Sequence, residues 1–241
     1  MPVKHIAVRK LSFGVAVLLA SYLSAAYLLL PETWTVVDRN VDVSPASMVT
    51  RTSSDIPGDP INVGLEARDT AAVLRAFALA GWDTADAVTL RTAVEIGVSV
   101  LFDRPYPDAP VSPLRFDGRR QDLAFEKPVG ESADRRHHVR FWRTSTTGPD
   151  GKGLWFGSAS FDRGVGLSHD TGQITHHIDP DIDAERDGLI QDLKATGQVV
   201  LTYKIPGIGL TKNGRNGGGD LYFTDGNVVI GRLVDTGAVS R

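Results

Sequence analysis

The stretch HVRFWRTSTTGPDGKGLWFGSASF, residues 138–161, contains the pattern that decides the fold. His138–Arg143 and Leu154–Phe161 are short runs rich in aromatic and aliphatic residues, with a period close to two. The residues between them are mostly Thr, Gly, Pro and Asp, which are typical of turns. This arrangement predicts two strands joined by a turn.

Shorter strand patterns lie on both sides of this pair. They are Ile61–Leu65, Leu114–Phe116, Leu123–Phe125, Gln173–Ile178, Val199–Ile205, Leu221–Phe223 and Val228–Leu233. The second and third of these flank Asp117-Gly118-Arg119-Arg120, and the last two flank Asp225-Gly226-Asn227. Both connections are rich in turn-forming residues, so the sequence predicts a hairpin at each of them.

Three segments have helical spacing. The first begins at Asp69 and ends at Gly81, the second covers about Thr89–Leu101, and the third covers about Asp181–Thr196. Gly207–Gly219 is rich in glycine and is predicted to be mobile. Because helices and strands are interspersed without βαβ regularity, the predicted class is α+β. We expect a single domain with a mixed or antiparallel sheet and a few packed helices.

An apolar run near the N-terminus predicts a membrane anchor. Leu11–Leu30 has no charged residue and follows Lys4, Arg9 and Lys10. Twenty residues of helix reach about 30 Å, the thickness of the hydrocarbon core. The basic flank predicts that the N-terminus is cytoplasmic and the rest of the chain is exported. A cleavable signal peptide with small residues at Ser24-Ala25-Ala26 is the alternative.

These patterns divide the 241-residue chain into four parts. They are a cytoplasmic tail at 1–10, a transmembrane helix at 11–30, a linker at 31–58 and a soluble domain at 59–235. The absence of cysteine excludes disulfides, iron–sulfur clusters and thiolate zinc sites. A formal net charge of -3 gives no reason to expect nucleic acid as a partner.

Histidines provide the strongest chemical signal, because five of the six lie between positions 137 and 177. Neighbouring residues of a strand point to opposite faces, so each histidine doublet can place one imidazole in a given pocket. Together with a carboxylate, three imidazoles suit Zn²⁺, Mn²⁺ or Fe²⁺. The predicted metal ligands are His137, His138, His169, His176, His177 and Asp179.

Two further groups complete the candidate site. Asp162 and His169 are the predicted catalytic residues. A guanidinium matches the geometry of a phosphate, so Arg119, Arg120, Arg140 and Arg163 are the predicted substrate-binding residues.

Structural interpretations of the same residues remain open. Acidic residues after Asp179-Pro180 suit the start of a helix. Each doublet can place one histidine in the core and the other in water, and Arg135-Arg136 fits a solvated turn. The chain has no HExxH metal motif, no G-x-S-x-G nucleophile elbow and no P-loop lysine.

Several long phrases make the chain similar to a known family. They are DRPYPDAPVSPL at 103–114, GRRQDLAFEKP at 118–128, RHHVRFW at 136–142, FDRGVGLSH at 161–169, THHID at 175–179 and DAERD at 183–187. Over roughly residues 59–206 the sequence resembles the LssY C-terminal domain family. The resemblance implies a bacterial domain that works at the cell envelope and is often attached to membrane segments, including lipid-phosphatase-like and DedA-like ones.

The resemblance brings no assigned catalytic residue to this chain. This chain has one predicted anchor and no embedded phosphatase of its own. Any phosphatase partner would therefore be a separate membrane phosphatase or envelope protein. The implied location is the bacterial cytoplasmic membrane, with the C-terminal domain outside the cytoplasm.

Three functions follow as hypotheses. The first is metal-assisted hydrolysis of a phosphorylated or lipid-like envelope substrate. The second is a binding module for an envelope molecule, and the third is a structural His/Asp/Arg network without a site. Convergence of three histidine nitrogens in an open cleft would favour the metal, and histidines spread over both faces of a sheet would argue against it.

Overall fold

The computed structural model describes residues 3–33, 47–53, 55–85, 114–130 and 135–235. Helix α1, Val3–Ser24, continues as a π-helical turn at Ala25–Leu29. The helical residues continue to Thr33, and Ser12–Thr33 is a candidate membrane span of 22 residues. The helix of a soluble core would be buried, whereas nearly all of this span is exposed. The expected apolar helix of membrane-spanning length is therefore present.

One large mixed sheet dominates the domain. Its strands run in the order β11-β14-β3-β9-β8-β7-β4, and β10 pairs with the far half of β9. Neighbouring strands are antiparallel except β14 and β3, which are parallel. The bounds are β3 Val63–Ala67, β4 Asp83–Thr84, β7 Leu123–Pro128, β8 Arg136–Thr147, β9 Gly153–Leu167, β10 Ile174–Ile178, β11 Val199–Pro206 and β14 Asn227–Leu233.

Two smaller sheets accompany it. One has the order β2-β1-β5-β6, with β1 Val49–Arg51, β2 Pro57–Pro60, β5 Arg115–Phe116 and β6 Arg119–Arg120. The other pairs β12, Asn213–Arg215, with β13, Leu221–Phe223.

Two helices cover one face of the large sheet. Helix α2, Thr70–Leu79, and helix α3, Ile182–Ala195, begin at the capping carboxylates of Asp69 and Asp181. They pack in one hydrophobic core with inward residues of the sheet, including Phe125, Val139, Phe141 and Trp155.

The opposite face carries a second core around Trp142, Ile61 and Ile230. Phe141 and Trp142 are neighbours on β8, so the two cores lie on opposite faces of the sheet. The α+β prediction is confirmed.

The strands that flank the two predicted turns do not all pair with each other as expected. The turn at Asp117-Gly118 joins β5 to β6, while Leu123–Pro128 pairs with β8 in the large sheet. Phe125 stacks on Phe77, with ring centroids 3.9 Å apart. Burial of the Phe125 ring in the core therefore favours the pairing of β7 with β8 in the large sheet. Likewise β13 pairs with β12, and β14 pairs with β11 and β3.

Other segments also differ from expectation. Strand β12 lies inside Gly207–Gly219, the segment predicted to be mobile. Strand β1 and the start of β2 lie inside the predicted linker at 31–58. The predicted helix Thr89–Leu101 lies outside the described residues.

Candidate functional site

A cavity of about 300 Å³ lies on the face of the sheet opposite α2 and α3. Residues from β2, β8, β9 and β10 line it, together with the loop after β9 and the turn Asn216–Gly218. The ionisable side chains among them are Asp59, Arg136, His138, Arg140, Asp162 and His176.

Five ionisable side chains that line the cavity form what we call the charged cluster: Asp59, Arg136, His138, Arg140 and Asp162. Strand geometry explains why several of them lie on the same face of the sheet. Arg136, His138 and Arg140 occupy alternate positions of β8, so they point to the same face. Arg136 faces Asp162 on β9, while His138 and Arg140 face Ser160 and Ser158. All five members of the charged cluster are buried.

Hydrogen bonds and ion pairs connect the charged cluster. The Arg136 guanidinium donates to Asp162 Oδ2 over 3.0 Å and to Glu126 Oε2 over 2.7 Å. His138 Nε2 lies 2.9 Å from Ser160 Oγ, and its Nδ1 lies 3.2 Å from Asp162 Oδ1. Arg140 Nη1 lies 3.6 Å from Asp59 Oδ2. Arginine and carboxylate therefore alternate around the cavity.

The two aspartates of the charged cluster have opposite pKa shifts. Burial raises the pKa of Asp59, and the nearby Arg140 and His138 offset this only in part. Burial also acts to raise the pKa of Asp162, but His138, His176 and Arg136 outweigh it and hold that pKa well below its usual range. The cavity thus combines one carboxyl group whose pKa is raised with one whose pKa is lowered.

Asp59 also has hydrogen-bonding capacity left over. Its Oδ1 is buried and accepts no hydrogen bond from the described residues. Thr50 Oγ1 donates to the Asp59 backbone oxygen over 2.7 Å and so fixes the strand that carries this side chain. Buried polar atoms of this kind are normally satisfied, so they indicate room for a ligand or water.

The C-terminal end of the apolar helix contacts the domain beside this cavity. Tyr22 Oη donates to the Gly172 carbonyl over 2.7 Å, and the Ile174 amide donates to Tyr27 Oη over 3.3 Å. Ala26 is buried, and Pro31, just beyond it, lines the cavity. The cavity therefore lies next to the end of the candidate membrane span.

A second group of polar side chains lies close to the cavity but does not line it. His177 Nδ1 lies 2.7 Å from Asp220 Oδ1, and His169 Nε2 lies 3.5 Å from the same oxygen. One nitrogen of each imidazole and one carboxylate oxygen all lie within 4.8 Å of one another. We call these residues the His–His–Asp group. Their donor set is that of a divalent transition-metal site with an open position.

The structure distributes the six predicted metal ligands over separate places. His138 and His176 line the cavity, while His169 and His177 belong to the His–His–Asp group. His137 points to the helix face of the sheet, where its Nδ1 lies 2.7 Å from Glu185 Oε2. Asp179 Oδ1 accepts the Asp181 amide over 3.0 Å at the start of α3.

The predicted catalytic and substrate-binding residues also separate. Asp162 and Arg140 line the cavity, whereas His169 lies in the His–His–Asp group. Arg119, Arg120 and Arg163 are exposed and do not line the cavity. Arg119 instead donates to the Arg143 carbonyl over 2.7 Å.

Sequence reasoning missed three residues of these sites. Arg136 is buried on β8 rather than in a solvated turn, and its alternation with His138 and Arg140 was an available signal. Asp59 lies within a run of turn formers, and Asp220 follows a run of glycines. Neither position carries a local pattern that indicates a site.

A known family model matches most of the chain. The family model described as the LssY C-terminus matches residues 41–228. This chain belongs to the LssY C-terminus family. The matched segment includes the charged cluster and the His–His–Asp group, and the candidate membrane span precedes it. No curated protein and no solved structure matches the chain significantly.

Proposed function

We propose that this member of the LssY C-terminus family is a membrane-anchored domain that binds the polar head group of an amphiphilic molecule of the bacterial envelope. One observation carries the proposal. The cavity that contains the charged cluster has Pro31, at the end of the candidate membrane span, among its lining residues. A head group at the membrane surface would be within reach of such a cavity, while its apolar tails stay in the bilayer.

The contacts of the helix favour an anchor over a cleaved signal peptide. Tyr22, Ala26, Tyr27 and Pro31 all contact or border the domain, so cleavage near Ala26 would remove part of the surroundings of the cavity. The basic residues Lys4, Arg9 and Lys10 lie before the span and favour an orientation with the domain outside the cytoplasm.

The charged cluster favours a ligand that carries a negative group. Arg136 and Arg140 are cations and Asp162 is a carboxylate whose pKa is held low, while burial raises the pKa of Asp59 and so reduces the negative charge that faces Arg140. A guanidinium fork and imidazole donors match phosphate or carboxylate oxygens. The volume of about 300 Å³ is at the small end for ligand pockets, which suits a head group rather than a whole lipid.

Binding of a soluble phosphate monoester to the full chain in detergent tests this proposal. With glycerol phosphate as the probe, we expect a rise in the unfolding temperature and a saturable calorimetric signal. Arg140→Lys should weaken binding at least about tenfold, because a guanidinium fork is lost. Arg163→Gln, at an exposed position outside the cavity, is the matched control and should bind as wild type does. Equal binding by wild type and Arg140→Lys would contradict the proposal.

A second candidate function is hydrolysis of the bound molecule, favoured by the opposite pKa shifts of Asp59 and Asp162. Carboxyl pairs held in different protonation states suit general acid and general base roles. Asp59 would give its proton to the leaving oxygen. His138 would accept the proton of the attacking water, and ionised Asp162 would stabilise the imidazolium.

Turnover distinguishes the hydrolase from the binding module. If the chain is a hydrolase, Asp59→Asn should retain binding of the probe and lower the hydrolysis of phosphate esters by roughly 100-fold or more. Binding without turnover by the wild type would leave the binding module as the function. A separate membrane phosphatase acting with this domain remains a prediction from the family resemblance.

A further inference from the structure

We propose that His169, His177 and Asp220 bind one divalent transition-metal ion, with Zn²⁺ as the best fit. The ion would connect three segments of chain that form one side of the cavity. The inference is independent of the proposed head-group binding, because none of the three residues lines the cavity.

The geometry of the His–His–Asp group is close to that of a metal site. Zn²⁺ holds nitrogen and oxygen ligands at about 2.0–2.1 Å, so two ligands of a tetrahedral site lie about 3.3 Å apart. The observed separations from Asp220 Oδ1 are 2.7 Å to His177 Nδ1 and 3.5 Å to His169 Nε2. The two imidazole nitrogens lie within 4.8 Å of each other, so side-chain shifts of about 1 Å would bring the three atoms around one ion.

The carboxylate is held in position by its backbone neighbours. Asp220 is buried, and its Oδ2 accepts the Ile178 amide over 3.1 Å, which leaves Oδ1 directed at the two imidazoles. The Asp220 amide in turn donates to Asn216 Oδ1 over 2.9 Å. Outer hydrogen bonds of this kind orient metal ligands and fix their geometry.

Two glycines make the space that the imidazoles occupy. A Cβ at Gly166 would overlap the His177 ring. A Cβ at Gly219 would lie 2.8 Å from His169 Cβ, and the φ of +85° at Gly219 also favours glycine. Glycine on both sides allows the rings to approach the carboxylate.

The three ligands come from separate parts of the fold. His169 lies in the loop after β9, His177 lies on β10, and Asp220 ends the turn that begins at Asn216. Their neighbours Ser168, His176 and Gly218 line the cavity. A bound ion would therefore fix these parts of the cavity lining relative to one another. The side chain of His169 is 60% exposed, so a water molecule can complete the coordination.

Metal titration of the untagged full chain in detergent tests the site. After removal of metals by a chelator, we expect the wild type to bind one equivalent of Zn²⁺ and to unfold at a higher temperature when loaded. His169→Ala should weaken Zn²⁺ binding at least about tenfold. Because His169 is exposed, this variant should keep the circular dichroism spectrum of the wild type.

Two controls separate this site from other histidines and from the cavity. His137→Gln removes an imidazole at the helix face and should bind Zn²⁺ as wild type does. Arg140→Lys should also keep its Zn²⁺ affinity, whether or not head-group binding is found. The absence of stoichiometric Zn²⁺ binding by the wild type, or equal affinity in His169→Ala, would overturn the proposal.

Discussion

Arg136 and Asp162 face each other across β8 and β9, and the Arg136 Nε donates to Asp162 Oδ2 over 3.0 Å. Both side chains are buried, and Glu126 Oε2 accepts a second hydrogen bond from the same guanidinium. Arg136 therefore joins β8 to both neighbouring strands, β9 through Asp162 and β7 through Glu126. Its removal therefore affects stability as well as any ligand.

Asp162→Asn should destabilise the chain by about 3 kcal/mol, because breaking a buried pair leaves part of a buried positive charge uncompensated. Thermal unfolding of the full chain in detergent measures the effect. Arg163→Gln, at the next and exposed position of the same strand, should change stability by less than about 0.5 kcal/mol. A similar, small effect in both variants would show that Glu126 alone compensates Arg136.

Asp59→Asn should change the stability of the chain by an amount that depends on pH. The folded-state pKa of Asp59 is raised by burial, so the stability that this group contributes is fully present below its unfolded pKa of about 3.9. That contribution falls as pH rises from about 3.9 through the raised folded-state pKa, because the unfolded chain then releases the proton more readily. Asparagine does not ionise and avoids this loss.

Unfolding temperatures of wild type and Asp59→Asn between pH 3 and pH 8 test the sign. We expect the stability of the variant relative to wild type to increase as pH rises. A variant that instead loses stability relative to wild type toward pH 8 would show that Asp59 is ionised and stabilised by Arg140 in the fold.

Local patterns predicted which residues share a face of the sheet. The period of two in residues 138–143 separates Val139 and Phe141, which face the helices, from His138 and Arg140, which face the cavity. The helix starts predicted at Asp69 and about Asp181 were equally local, and the structure has both helices, with these residues as their N-caps. Such features depend on neighbours in the chain, so the sequence shows them.

Long-range pairing determined the rest of the site. Asp59 reaches Arg140 because β2 and β8, 81 positions apart at these residues, border the same cavity. Asp220 reaches His177 through the turn before β13, which pairs with β12 rather than with β14. No local spacing encodes these partnerships, which is why the predicted metal ligands did not include Asp220.

Gly166→Ala should weaken Zn²⁺ binding at the His–His–Asp group by at least about tenfold, since the added methyl group displaces the His177 ring. Gly164→Ala is a matched control, because a Cβ there meets nothing within 4 Å. Competition with a fluorescent zinc chelator measures both affinities. Equal affinities in the two variants would mean that His177 does not coordinate the ion.

Tyr22→Phe should loosen the loop at residues 168–174 from the apolar helix. The substitution removes the hydrogen bond from Tyr22 Oη to the Gly172 carbonyl and leaves the aromatic ring in place. One such bond contributes about 1 kcal/mol, so amide hydrogen exchange in the loop should accelerate roughly fivefold. The measurement is hydrogen exchange by mass spectrometry on the full chain in lipid nanodiscs.

Tyr203→Phe is the control for this exchange experiment, because Tyr203 Oη bonds to Glu66 Oε1 on another part of the sheet. It should leave exchange at 168–174 unchanged. Tyr22 lies eight residues before Leu30, which is about 12 Å of helix, so the loop contacts the span about 12 Å before Leu30. If exchange in the loop is the same in Tyr22→Phe and wild type, the helix does not hold the loop, and the position of the cavity at the membrane would need another support.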